Sequence, residues 1–514
     1  MTGPAPSSLR PEHPVARPLA QLVADFGLDH RGDLDAIEVT GVALATTAVA
    51  PGDLYVGVPG RHAHGASYAE KAAAAGAVAI LTDEEGAELA AESGLPIVVT
   101  QDARAALGAV AAWIYQTEEN SATLFGVTGT NGKTSVVYLL NAILGQLGVV
   151  SGLSSTAERR IGDTAITSKL TTPEASELHA LLARMREEAV RAVAIEVSAQ
   201  ALTRHRVDGI MFDVVGFTNL SHDHLDDYSA MDDYFAAKLE LFQPDRARRG
   251  VVTVDSDWGR ALVERSRIPI ATLSTSPGAE AEWVMTVTEE TVDHTAFLLE
   301  GPDGRQLSTR VPLLGAYMAA NAALAIVMLV ESGYDLDAIG AALDRDGGID
   351  AFIPGRAERI SGESGPVVFI DYGHSPDAFL STLSAMRKVT TGRIVMVFGA
   401  DGDRDTTKRT DMGAIAARGS DAVVITDFHP RWEDPAAIRA TLLEGARNAV
   451  PDLELYEIAD PRAAFRKALS LAGEGDIVLY AGPGHEDYQE VAGEHIPYSA
   501  RDDAKLALRE AGWL

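Results

Sequence analysis

Residues 123–135 read TLFGVTGTNGKTS, and this stretch decides the fold. Thr123 to Thr128 is an apolar run of strand length that breaks at Gly129. From Lys133 onward, Val136, Leu139, Leu140 and Ile143 recur on one face of a helix. Strand, glycine turn and helix together make a phosphate-binding βα unit. Gly129 and Gly132, either side of Thr130 and Asn131, let backbone N–H groups close on phosphate oxygens at the helix N-terminus. Lys133 reaches the outer phosphates as a point charge, and Thr134, followed by Ser135, offers a hydroxyl to Mg²⁺. A strict Walker spacing asks for glycine where Val127 stands, but the mechanics of the turn survive that mismatch.

Outward from this unit the same rhythm continues. Ala192 to Val197, Val214 to Thr218 and Gly250 to Val254 are further buried-strand candidates, which predicts a mostly parallel sheet in the middle of the chain. Before it, Leu54 to Val58 and Ala77 to Leu81 read as strands around an Ala69 to Ala75 helix, and Ala103 to Tyr115 reads as a connecting helix. After it, Val367 to Ile370, Arg393 to Phe398, Ala422 to Thr426 and Asp476 to Tyr480 alternate with helices such as Ala378 to Met386 and Ala436 to Ala446. The 514 residues make about three domains at roughly 150 residues each. The expectation is an α/β protein divided at 1–102, 103–352 and 353–514.

Composition narrows the function. A hydrophobic share of 46% with 23% charged residues is globular usage, so disorder explains only the ends. The 43 Lys and Arg against 74 Asp and Glu give a formal charge of −31, a field that repels nucleic acid and anionic lipid. Anionic substrates then need locally concentrated Arg and Lys. With no cysteine, thiolate metal sites and cysteine nucleophiles are excluded, and any metal sits on oxygen or imidazole. No signal-peptide pattern or 18-residue apolar run occurs, so the expectation is a cytoplasmic monomer acting on small molecules, with no nucleic-acid partner and no membrane insertion.

Glu196, ending the 192–197 run, is a credible hard ligand for Mg²⁺, and FTNLSHDHLDDY at 217–228 gathers two His and three Asp behind another strand. Taken singly, each has a bland reading as a cap or a structural imidazole. Taken together with LTTPE at 170–174, EVSAQAL at 196–202, YFAAKLELF at 234–242, DYGHSPDA at 371–378, FGADGDRD at 398–405, HPRWEDP at 429–435 and AGPGHEDYQ at 481–489, they resemble the Mur ligase family. The resemblance runs through all three blocks in order, and is strongest to the branch that adds the third residue of the peptidoglycan stem.

That resemblance implies a small N-terminal uridine-nucleotide domain, a central P-loop ATPase domain and a C-terminal Rossmann-like domain that delivers the amino acid. It implies an ADP-forming ligase that joins a diamino acid to UDP-N-acetylmuramoyl-L-alanyl-D-glutamate, with meso-diaminopimelate ahead of L-lysine or ornithine. Position by position, Thr134, Glu196 and His224 match the Mg²⁺ neighbourhood, and Lys238 matches a lysine that CO₂ carbamylates, turning an ammonium into an oxygen donor. Asn321, Arg356 and Asp371 match ATP contacts. Thr171, Thr172, Ser198, Arg204 and Arg206 match the muramoyl-dipeptide side, and Leu44, Thr46, Arg61, His62 and Ala63 the uridine side. Arg404, Phe428, His429, Pro430, Arg431, Gly482 and Glu486 match the amino-acid side, with Arg404 on the α-carboxylate, Glu486 on the distal ammonium and Arg431 on a second carboxylate.

Several positions depart from the family pattern. Arg204 stands for Gln, Thr46-Thr47 for Ser-Arg, Met318 for Asn and Pro483 for Lys, and Phe428-His429-Pro430-Arg431 stands for Asp-Asn-Pro-Arg. Two competing readings are a pterin-specific ligase of the same superfamily and a non-catalytic nucleotide-binding partner of wall synthesis. The sizeable first block and the GHEDYQ loop oppose the former, and the retained Thr134, Glu196, His224 and Lys238 oppose the latter.

Overall fold

The computed structural model describes residues 10–60, 62–118, 121–162, 164–168, 170–223 and 226–514. Three large sheets, of five, eleven and six strands, follow one another along the chain. The first, in the order Asp29–Arg31, Ile97–Val99, Ala79–Thr82, Asp53–Gly57, Gly41–Ala43, is parallel except for its first strand. Helix Ala103–Tyr115 packs on it and, through its other side, on helix Ala175–Glu187 of the next block, so Leu107, Val110 and Trp113 share a core with Ala180 and Ala183.

The second sheet has eleven strands. Seven consecutive ones, from Ser151–Ser154 through Ala192–Glu196, Thr123–Thr128, Phe212–Phe217, Ala247–Thr253 and Ile270–Ser274 to Trp283–Glu290, are parallel, and antiparallel strands close both edges. The parallel strands read as unbroken apolar runs because helices cover both faces. Helix Lys133–Gln146 and helix Ala316–Glu331 supply one of these covers and are buried along most of their lengths.

The third sheet runs Glu358–Arg359, Val367–Asp371, Ile477–Ala481, Ile394–Phe398, Ala422–Ile425, Glu454–Glu457, parallel except for its short first strand. Its helices start where the sequence supplies caps. Ser375 caps Pro376–Val389, and Asp434 and Asp460 cap Pro435–Ala449 and Pro461–Ser470, each with proline in the first turn. Among the described residues no helix is long and apolar enough to cross a membrane.

Candidate active site

In open parallel sheets, ligands meet the loops that leave the carboxyl ends of the strands. Here Thr123–Thr128 lies between Ala192–Glu196 and Phe212–Phe217, so the glycine turn, the Glu196 carboxylate and the Thr218-Asn219 pair emerge side by side. The third sheet offers its own strand ends, Asp371, Asp401, Phe428 and Gly482, to the same cavity of about 1280 Å³.

The turn needs glycine twice. Gly129 has φ +147° and a Cβ there would stand 1.9 Å from Thr218 Oγ1. Gly132 has φ +90° and its Cβ would stand 2.6 Å from Asn321 Oδ1. The Thr218 hydroxyl donates to the Asn131 carbonyl at 2.6 Å, and the Asn219 amide grips both sides of Asn131, accepting from its N–H at 2.9 Å and donating to its carbonyl at 3.1 Å. The N–H of Thr130 donates to the Asn219 carbonyl at 2.9 Å. Helix Lys133–Gln146 then begins on Gly132 with no side-chain cap, whereas Asp102 caps the N–H groups of Arg104 and Ala105 in the preceding helix. The first N–H groups of the phosphate helix are thereby aimed into the cavity for an anion.

Two lysines meet at this turn. Lys133 Nζ donates to the carbonyls of Gly129 at 3.0 Å and Thr130 at 2.9 Å, and Lys238 Nζ donates to the same Gly129 carbonyl at 2.9 Å. Lys238 is 1% exposed, with its amine 4.3 Å from the centre of the Tyr234 ring. Burial, reinforced by the charge of Lys133, holds Lys238 well below the ordinary lysine range, while Asp223 acts the other way. Burial also lowers Lys133, opposed by Glu196 and Asp223.

Glu196 is fully buried and accepts from the Thr156 N–H at 2.8 Å and the Thr156 hydroxyl at 3.0 Å. Thr172 ties this strand end to its loop by donating to the Glu196 carbonyl at 2.7 Å and accepting from the Ser198 N–H at 3.1 Å. From the third block, Arg356 donates to Thr134 Oγ1 at 2.8 Å and lies over the Tyr372 ring at 4.2 Å. Asp371 fixes that segment by accepting from the N–H groups of Ala357 and Gly373. A buried ion pair, Lys408 to Asp223 at 3.0 Å, joins the third block to the second, and Arg404 reaches Asp226 at 3.9 Å.

At the far end of the cavity Glu486 accepts from His429 Nε2 at 2.6 Å and from the Tyr372 hydroxyl at 3.3 Å. Arg431 is held by Glu490 at 2.9 Å, by Asp401 at 3.2 Å and by the Gly402 carbonyl at 3.0 Å.

The structure brings most of the sequence-predicted residues to one cavity. Thr130, Asn131, Gly132, Lys133, Thr134 and Ser135, with Glu196, Lys238, Asn321, Arg356 and Asp371, line the cavity. So do Thr171, Ser198 and Arg206, and from the third block Arg404, Phe428, His429, Arg431, Gly482 and Glu486. Gly129 enters through its carbonyl and Thr172 through its bridging hydroxyl, while Pro430 is off the wall. Arg204 is not on the wall either, being paired with Asp227 at 3.3 Å. Leu44, Thr46, His62 and Ala63 lie in the first block and do not line this cavity. Arg61 and His224 lie outside the described residues.

Thr218, Asn219, Asp223, Tyr372 and His485 stand inside the motifs and also line the cavity, although the motifs alone assign them no role. Thr156 and Lys408 carried no local signal. Among the described residues no group of three His, Asp or Glu side chains is placed to hold a metal. The oxygen donors at the turn are Thr134 and Glu196, hard ligands of the kind Mg²⁺ takes.

Comparison with known proteins adds names to this geometry. The pattern of the Mur ligase family catalytic domain matches residues 38–115, that of the Mur ligase middle domain residues 127–329, and that of the Mur ligase glutamate ligase domain residues 355–484. A UDP-N-acetylmuramyl-tripeptide synthetase of Leifsonia xyli subsp. xyli is 82% identical over 514 residues, the whole of both chains. A UDP-N-acetylmuramoyl-L-alanyl-D-glutamate--2,6-diaminopimelate ligase of Streptomyces avermitilis is 44% identical and that of Corynebacterium glutamicum 39%, covering 99% and 92% of each chain. Among solved structures, a ligase of the latter name superposes with a TM-score of 0.66 at 24% identity over 97% of this chain and all of the other. MurF from Acinetobacter baumannii gives 0.69 at 17% identity, covering 91% of this chain and 96% of its own.

Proposed function

The chain belongs to the Mur ligase family, ATP-dependent ligases that form peptide bonds, and from that premise we propose that it adds a diamino acid to UDP-N-acetylmuramoyl-L-alanyl-D-glutamate through an acyl phosphate, a step in building the peptidoglycan precursor. The observation that carries the reading is the convergence of Lys133 and Lys238 on the Gly129 carbonyl, beside Glu196 and the uncapped start of the phosphate helix.

In the first step the dipeptide's terminal carboxylate forms a bond to the γ-phosphorus and the bond to ADP breaks. The uncapped N–H groups at the start of helix Lys133–Gln146 and the Lys133 amine hold the β- and γ-phosphates in line, so alignment and charge neutralisation supply the rate and no side-chain nucleophile is needed. In the second step the incoming amine forms the C–N bond, phosphate leaves and one proton is released. Thr171, Ser198 and Arg206 face the dipeptide. Arg404 takes the α-carboxylate of the amino acid and Glu486 its distal ammonium. Asn321, Arg356 and Asp371 surround the nucleotide, and the uridine end lies on the first block by Leu44, Thr46, Arg61, His62 and Ala63.

The donor chemistry fits magnesium. Thr134, Glu196, His224 and Lys238 as its carbamate would hold Mg²⁺, which supplies charge neutralisation on the phosphoryl oxygens when bound. The depressed basicity of Lys238 supports that modification, because CO₂ reacts with the neutral amine.

Relatives 37–44% identical carry names that specify 2,6-diaminopimelate, which makes it the first candidate for the diamino acid. Phosphate release with UDP-N-acetylmuramoyl-L-alanyl-D-glutamate, ATP and diaminopimelate, lysine, ornithine or diaminobutyrate tests the reading. Turnover is expected only when all three substrates are present. Release that ignores the nucleotide-sugar, or that follows a pteroyl-glutamate instead, overturns it.

A further inference from the structure

The distal end of the amino-acid side of the cavity is built differently from what the motif Phe428-His429-Pro430-Arg431 suggests. Arg431 is the group to which a second carboxylate would turn, yet each of its nitrogens is engaged: Nε by Glu490, Nη2 by Asp401 and Nη1 by the Gly402 carbonyl. Two carboxylates already surround this one guanidinium, so a third must share it against their repulsion. Glu486 is in the opposite condition. Both of its oxygens are held, but by the His429 ring and a tyrosine hydroxyl rather than by lysine or arginine. His429 accepts the Glu490 N–H at Nδ1, at 2.8 Å, which leaves Nε2 as the nitrogen that donates to Glu486. The imidazole is 3% exposed and set between the Phe428 and Tyr488 rings, with centroids 4.1 and 5.3 Å away. It has one orientation in which to do this.

Resting on the functional reading above, we propose that His429 is a positioning residue that makes the distal amine, and not a distal carboxylate, the feature by which this protein selects its amino acid. Holding Glu486 with neutral donors keeps its negative charge available to an ammonium. Locking Arg431 between Asp401 and Glu490 removes the reward for a second carboxylate. The substrate class is therefore an α-amino acid with a distal primary amine, and the group on the distal carbon beside that amine is of little consequence.

The test is steady-state phosphate release by the whole enzyme with ATP and UDP-N-acetylmuramoyl-L-alanyl-D-glutamate held constant. Lysine and meso-diaminopimelate are expected within tenfold of one another in kcat/KM, with norleucine, which lacks the amine, at least a hundredfold below both. His429→Asn, too short to reach Glu486, is expected to raise KM for both diamino acids at least tenfold while kcat and the KM for ATP stay within threefold. His429→Gln, which retains a donor at that reach, is expected to bring KM back to within threefold of the wild type. Diaminopimelate favoured more than tenfold over lysine, norleucine within a hundredfold, or an unchanged KM in His429→Asn overturns the proposal and leaves the ligase reading standing. Absence of any phosphate release that depends on the nucleotide-sugar overturns both. Where a variant fails to fold, the wild-type comparison still decides whether the amine or a distal carboxylate selects the amino acid, and a diaminopimelate preference above tenfold overturns the proposal.

Discussion

Gly129→Ala probes the phosphate turn with a single methyl group. At φ +147° the backbone is one that L-residues rarely adopt, which costs on the order of 1–3 kcal/mol. The new Cβ also falls 1.9 Å from Thr218 Oγ1, so that hydroxyl must leave and its hydrogen bond to the Asn131 carbonyl goes with it, a further loss of about 1 kcal/mol. The total of about 2–4 kcal/mol corresponds to roughly 30- to 1000-fold weaker nucleotide binding, if the strain is carried by the loop that wraps the phosphates. Calorimetric titration with a non-hydrolysable ATP analogue reads the affinity, and ADP formation reads the turnover. In a Thr218→Ala background the colliding oxygen is already gone, so adding Gly129→Ala there is expected to cost about fivefold less than it does in the wild type, as a double-mutant cycle measures. Binding and turnover of Gly129→Ala within threefold of wild type, or strict additivity with Thr218→Ala, would refute this account of the turn.

Lys133→Met is expected to lower ADP formation by about 10²–10³-fold or more, the worth of one donor aimed at developing charge, with an unchanged circular dichroism spectrum; full turnover removes the mechanism. Lys238→Ala is expected to lose activity and to recover part of it with added formate or acetate, while an active, acetate-indifferent variant makes the lysine structural. His179 is fully buried, accepts the Thr117 hydroxyl at Nδ1 and donates to the Asp208 carbonyl, and burial pushes it down to about 4. The unfolded chain, titrating near the ordinary 6.5, then binds the extra proton, so this residue's stability contribution is full above pH 6.5 and falls by about 3 kcal/mol as pH drops toward 4. Urea unfolding of His179→Asn at pH 7 and pH 5 is expected to show a smaller pH dependence than the wild type, and an equal one would count against the assignment.

Local pattern carried the fold where one element is decided by its own residues. Thr123–Thr128, Ala69–Ala75 and Ala103–Tyr115 stand where the apolar runs and flanking signals put them. Helix Pro376–Val389 starts two residues before the Ala378 expected from apolar spacing, because Ser375 caps it and Pro376 fills the first turn. The phosphate turn was legible for the same reason, since glycine spacing before Lys133 is a local constraint. What was hidden is long-range. The resemblance singled out Lys238, but its burial against the Gly129 carbonyl, 109 positions away, has no local signal, a lysine on a helix being ordinarily solvated. Thr156 sits in a bend whose composition announces nothing, and Asp223 and Lys408 pair across 185 residues. The motif around Arg431 names the residue without its company, since Asp401 lies 30 positions upstream and Glu490 59 downstream.

Helix Ala103–Tyr115 has an architectural consequence. Trp113 Nε1 donates to Asp25 on one side, while on the other Arg104 pairs with Glu174 and Gly108 has no room for a side chain against the Asp208 backbone. A rod clamped so on both flanks leaves the leading fifth of the polypeptide little slack to swivel against its neighbour. Proteolytic nicking near position 102 would then yield not two healthy fragments but one sticky remnant with Leu107, Val110 and Trp113 laid bare.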